Sequence, residues 1–223
     1  MISSGSNWGA DDHLKLNPRK NWINRYRGFR CARSSRARIN GVNLYFEERG
    51  NPESEETVVF LNGAIASTQS WELQVPAFEL SGHRVIIHDY RGQLRSDKPN
   101  GPYSYSQHAS DLKELLGFLD QSKPIHLVGI SYGGTVAMRF ALDYPESVKS
   151  ISLLNTSSEV DETLAGYIKH SQSLLTSSKP QDYFQGVIPI LYGTEYVKEN
   201  RELLDEQAKG FSLLPDSFFE GQY

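Results

Sequence analysis

The sequence predicts an α/β fold, a mostly parallel sheet with helices on both faces. Three observations carry that expectation. Short apolar runs at 57–61, 84–88, 125–128 and 148–154 have the length and composition of buried strands. Segments of helical period lie between them, so strand and helix alternate along the chain. The run Ile125-His-Leu-Val-Gly-Ile-Ser-Tyr-Gly-Gly134 carries an apolar strand straight into Gly-x-Ser-x-Gly and then into a helix-like segment, Thr135 to Tyr144.

The elements can be justified in order. Residues 36–39 and 42–48 flank Asn40-Gly41, a strong signal for a tight hairpin. Residues 57–61 form the first buried strand. Residues 69–80 place Trp71, Leu73, Val75, Phe78 and Leu80 on a crossover helix that must accommodate Pro76. Residues 84–88 are the next strand. Ser106 to Gln121 has the clearest helical period, with Leu112, Leu115, Leu116 and Leu119 on one face. The strand into the Ser131 turn, its helix and the strand 148–154 follow. Residues 157–223 show helical apolar faces and no strand. Leu164, Tyr167, Ile168, Leu174 and Leu175 make one face; Tyr183, Phe184, Val187 and Ile188 make another; Leu203, Leu204 and the stretch from Phe211 to Phe219 lie beyond.

The 223 residues carry a net charge of −4, with 38% apolar and 22% charged side chains. That composition fits one globular domain and argues against general nucleic-acid binding. No apolar run approaches the ~18 residues of a membrane span. No apolar core of a secretory signal opens the chain, so a cytoplasmic protein is expected. Cys31 is the single cysteine, which excludes an internal disulfide and a cysteine metal cluster. Neither a cofactor nor a metal is expected. The charge is uneven: residues 1–40 hold nine of the 23 Lys/Arg but two of the 27 Asp/Glu. Residues 1–35, with Trp8, Trp22 and Tyr26 but no apolar period, therefore read as a separate piece, either a basic arm or a remnant of a foreign domain.

The spacing around Ser131 follows from chemistry. A nucleophilic serine needs a tight turn that pushes its hydroxyl out of the sheet. Side chains at Gly129 and Gly133 would collide with the neighbouring strand and helix. The helix that starts there points backbone N–H groups at the place where an oxyanion would form.

With these residues the chain resembles the α/β-hydrolase superfamily over roughly residues 36–223. The resemblance also rests on Asn62-Gly63-Ala64 after the first buried strand, where the family has His-Gly-x. It rests too on Asp89-Tyr-Arg-Gly-Gln-Leu-Arg-Ser96, which looks like the family's Asp-x-Arg-Gly-x-Gly-x-Ser segment with Leu94 in place of the second Gly. The resemblance implies a Ser131 nucleophile and an oxyanion hole made by the Ala64 and Tyr132 N–H groups. It implies structural roles for Asp89 and Arg91, which tie down their loop, and a helical cap over the active site at 157–223. The segment Gly28-Phe-Arg-Cys-Ala-Arg33 separately resembles the C-terminal edge of the formylglycine-generating-enzyme (sulfatase-modifying) family; no activity is assigned to it.

A serine hydrolase also needs a base and an acid. In this family they follow the nucleophile, the acid usually after the seventh strand and the His after the eighth. His170 is the one histidine after Ser131, and it lies in the cap-like region. Asn155-Thr156, after the sixth strand, offers no carboxylate. His88 ends a strand on the correct edge, in a place the family uses structurally. The expectation is an α/β-hydrolase fold that is incomplete, without strands seven and eight, and C-terminally truncated. The expected parent is a cap-bearing serine hydrolase acting on a small ester, thioester or lactone, inactive as this fragment, with its sixth strand exposed as a sheet edge open to self-association. The alternative is a non-catalytic α/β-hydrolase-like binding or interaction module.

Overall fold

The computed structural model describes residues 33–176, 180–211, 213 and 219. Residues 1–32 of the expected 1–35 arm, with Cys31 and the start of the Gly28–Arg33 segment, fall outside the described residues. The chain opens with β1 (Arg33–Ile39) and β2 (Val42–Gly50), an antiparallel hairpin. Asn40 and Gly41 both take positive φ, 44° and 82°, as the Asn-Gly pair requires. β1 begins three residues before the expected start because Arg33, Ser34 and Ser35 pair with Glu48, Glu47 and Phe46.

Next come β3 (Thr57–Leu61), β4 (Arg84–His88), β5 (Ile125–Ile130) and β6 (Val148–Leu154). They give a six-stranded sheet in the order β1-β2-β4-β3-β5-β6. β3 pairs parallel with β4 and β5, and β5 pairs parallel with β6; β2 joins β4 antiparallel. Among the described residues β6 pairs with β5 alone, so it is an edge strand. Leu153 and Leu154 on it are 44% and 43% exposed.

The crossover between β3 and β4 is two short helices rather than one. A 3-10 turn spans Thr68–Trp71, and α1 spans Val75–Leu80. Pro76 explains the break: it sits in the first turn of α1, where its missing N–H costs nothing. α2 (Tyr105–Phe118) is capped by the Ser104 side chain and buries Leu112, Leu115 and Leu116. α3 (Tyr132–Asp143) follows β5 after the single residue Ser131, three residues before the expected start. α4 (Glu162–Thr176), α5 (Pro180–Leu191), α6 (Thr194–Glu199) and α7 (Arg201–Phe211) follow.

Strand alternation splits the core in two, as a sheet covered on both faces demands. Val59, Leu61, Ile86 and Leu127 face α2 and α3, against Leu112, Leu115, Val136 and Phe140. Val58, Phe60, Val85 and Ile87 face the other way, against Trp71 and Val75.

Candidate active site

Ser131 stands alone between β5 and α3, at φ 52° and ψ −121°. A non-glycine residue there costs about 1–3 kcal/mol and persists only when its surroundings over-determine it. Here they do. A Cβ at Gly129 would lie 2.5 Å from the Gly133 carbonyl oxygen, and one at Gly133 would lie 2.2 Å from that of Leu61. Both glycines are thus required by the close approach of β5, α3 and the end of β3. The neighbouring strand holds the serine backbone. The Ser131 N–H donates to the Leu154 carbonyl at 2.9 Å, and the Thr156 hydroxyl donates to the Ser131 carbonyl at 2.7 Å. The Ser131 side chain is exposed.

The turn after β3 reaches the same place. A Cβ on Gly63 would come within 3.9 Å of the Ser131 Cβ. Ala64 follows in that turn, and Ile65 holds φ 54°. Tyr132 opens α3, so its N–H is one of the orphan donors of a helix N-terminus. Among the described residues neither the Ala64 nor the Tyr132 N–H has an acceptor.

Asn62, where a histidine was the expected residue, is fully buried and saturated. Its amide donates to the His88 carbonyl at 2.8 Å and to Gln93 Oε1 at 3.0 Å, and its oxygen accepts from the Trp71 indole at 2.9 Å. Gln93 in turn donates to the Gly63 carbonyl at 2.9 Å. This clamp fixes the 62–64 turn to the exit of β4. Leu94 does not take a positive φ, so its loop needs no glycine there.

Asp89 and Arg91 are structural. Asp89 accepts from the Thr68 and Arg95 N–H groups at 2.8 and 3.0 Å, and burial pushes its carboxyl up. Arg91 grips Asp111 with two bonds of 2.6 and 2.7 Å. His88 lies in the core, 5.0 Å from the Tyr90 ring, and neither ring nitrogen has a partner among the described residues. Burial lowers its pKa to about 4. His108, its ring 4.7 Å from that of Tyr90, is lowered to about 3 by burial, then by His88 and Arg91. Neutral and enclosed, these rings are packing residues. His170 is on the exposed face of α4. No histidine among the described residues hydrogen-bonds the Ser131 hydroxyl.

Ile65, next to Ala64, packs against Leu175 and Phe219 with Tyr183 and Phe211, so the turn beside Ser131 touches the helical segment. An open cavity of about 430 Å³, lined by Ser157, Glu159, Asp161, Thr163, Leu164 and Tyr167, lies just past Thr156. Leu154 and Thr156 as anchors, and Gln93 as a clamp, have no signal in the sequence. Their partners lie 23 to 31 residues away, and parallel pairing alone unites them. Among the described residues no cluster of three or more His, Cys, Asp or Glu suits a metal, and no helix is long and apolar enough to cross a membrane.

The family model described as alpha/beta hydrolase fold matches residues 56–184. A RutD protein of Variovorax paradoxus, assigned as a carbamate hydrolase, is 30% identical over 174 residues, covering 77% of this chain and 65% of that protein. The chain thus spans less than two thirds of the length of the curated relatives it matches. The enol-lactonase of Burkholderia xenovorans superposes with a TM-score of 0.74 at 20% identity, over 83% of this chain and 70% of that one. An N-acyl homoserine lactone degrading enzyme superposes with a TM-score of 0.69 at 26% identity, over 83% and 69%. A sheet of this order, the Ser131 turn and these matches have one reading: the chain belongs to the alpha/beta hydrolase fold family.

Proposed function

We propose that Ser131 is the nucleophile of a serine hydrolase acting on a small ester, thioester or lactone. The observation that carries this is the exposed Ser131 hydroxyl on a strained turn between β5 and α3, with its backbone pinned on both sides. The Ala64 and Tyr132 N–H groups serve as the oxyanion hole. Attack on the carbonyl forms the Ser131 Oγ–C bond and moves the carbonyl electrons onto oxygen, where two preset donors stabilise them. The names of the relatives support carbonyl chemistry: a carbamate, an enol lactone and an N-acyl homoserine lactone all present an acyl carbon to attack. α4 to α7 form a cap, supported by the packing of Ile65 against Leu175 and Phe219.

The proton on Ser131 needs an acceptor, and none of the described histidines supplies one. We assign the base and its orienting acid to sequence outside the described residues. A Ser131 without a base makes a poor esterase. Triad loss leaves a residual ~10³–10⁴-fold over water. Hydrolysis of p-nitrophenyl acetate by the chain and by Ser131→Ala, with and without added imidazole as a surrogate base, tests this. Imidazole should raise the Ser131-dependent part of the rate. Fast Ser131-dependent turnover without imidazole would show a base within the chain. Identical rates for the two proteins in imidazole would favour a non-catalytic binding module.

A further inference from the structure

A second hydrogen-bonded serine lies at the other end of the parallel strands. Ser150 on β6 pairs in register with His126 on β5. The Ser150 Oγ is 2.7 Å from His126 Nδ1, and His126 Nε2 is 2.8 Å from a carboxylate oxygen of Glu56, just before β3. The Lys149 ammonium donates to the same carboxylate.

With a neutral His126 ring, the Glu56 carboxylate sets the polarity of this chain of bonds. Hydrogen bonds from Lys149 and then His126 hold the Glu56 carboxyl at about 2, so it is ionised and accepts only. His126 Nε2 must therefore donate. In the neutral ring that leaves Nδ1 as an acceptor, and the Ser150 hydroxyl donates to it. Nucleophile, base and orienting carboxylate thus stand in the order that activates a serine. Ser150 is exposed, and the His126 and Glu56 side chains are 28% and 41% exposed, so a reagent can reach the hydroxyl.

We propose that Ser150 is an acyl-accepting nucleophile, activated by His126, toward small activated acyl electrophiles. An exposed strand position gives access without enclosure, so the electrophile must bring its own reactivity, as an ester with a good leaving group does. With p-nitrophenyl acetate, the Ser150 Oγ–C bond forms and the C–O bond to p-nitrophenolate breaks. The serine proton passes to His126 Nδ1 and from there to solvent. Ser131 takes no part, so the inference is independent of the function proposed above.

The test uses the 223-residue chain carrying Ser131→Ala, treated with p-nitrophenyl acetate, with acetyl groups located and timed by peptide mass spectrometry. Ser152 is the internal control: it is exposed on the same strand and, two residues on, points to the same side. General-base assistance is worth about 10²–10⁴-fold, so Ser150 should acetylate at least roughly tenfold faster than Ser152. His126→Gln in the same background should bring Ser150 down to the Ser152 rate. Equal rates at Ser150 and Ser152 in the Ser131→Ala chain would overturn the proposal without any change at His126. Ser150 acetylation unaffected by His126→Gln would also overturn it.

Discussion

Acid should unfold this protein through two histidines that the site does not use. His88 is 0% and His108 3% exposed, and three of their ring nitrogens lack partners among the described residues. Burial puts their pKa values at about 4 and about 3, below the ordinary 6.5. Above pH 6.5 both rings are neutral whether the chain is folded or not, and they contribute nothing to the pH dependence. Below pH 6.5 the unfolded chain takes up protons that the folded one refuses. Stability therefore falls as pH drops, until the folded values are reached. At about 1.4 kcal/mol per unit, each imidazole costs about 2 kcal/mol at pH 5, and the pair about 4 kcal/mol. That is a large part of the roughly 5–15 kcal/mol that holds a typical domain. Urea titrations at pH 7.5 and pH 5 measure it. His88→Leu replaces an unpaired buried ring by an apolar side chain, so stability at pH 7.5 should hold or rise. Its loss between the two pH values should shrink by about half. Equal stability of the parent at both pH values, or an unchanged pH loss in His88→Leu, would refute the reasoning.

Three further outcomes are expected. Thr156→Val keeps the side-chain shape but removes the 2.7 Å bond to the Ser131 carbonyl; it should cost about 1 kcal/mol in a urea titration, with Thr156→Ser restoring most of it. Gly133→Ala places a Cβ 2.2 Å from the Leu61 oxygen, a backbone atom that cannot give way; a cooperative thermal melt at the parent temperature would contradict that geometry. The β6 edge, with Leu153 and Leu154 exposed, should associate with other chains in a concentration-dependent way. Light scattering would show this, Leu153→Lys should weaken it, and a monodisperse monomer at high concentration would refute it.

The sheet was legible because its strands carry short apolar runs; β3 and β4 are buried along their whole length, while β6, though it holds Ile151, Leu153 and Leu154, is an exposed edge. Residues 57–61, 84–88 and 148–154 match β3, β4 and β6 at both ends. The hairpin was legible because only a few residues accept two consecutive positive φ values, and Asn-Gly does. The helix boundaries were less legible. α2 ends at Phe118 rather than Gln121, since Leu119 is already its cap and Asp120 turns to φ 53°. Pro76 split one expected helix into two. At the site, Gly129 and Gly133 declared themselves because their constraint is local. What Asn62 does was not readable from its position: its partners His88, Gln93 and Trp71 converge only through the fold. The same holds for the Ser150, His126 and Glu56 chain, which three separate strand starts bring together.

The most direct measurement of the central claim is the mapped covalent labelling of the 223-residue chain by a fluorophosphonate in the presence of imidazole. If Ser131 is the proposed nucleophile, its hydroxyl should form the adduct faster than the exposed Ser152, and the Ser131 adduct should grow with imidazole. A Ser131 that stays unmodified while Ser152 reacts at the same or a greater rate would contradict its role as the nucleophile.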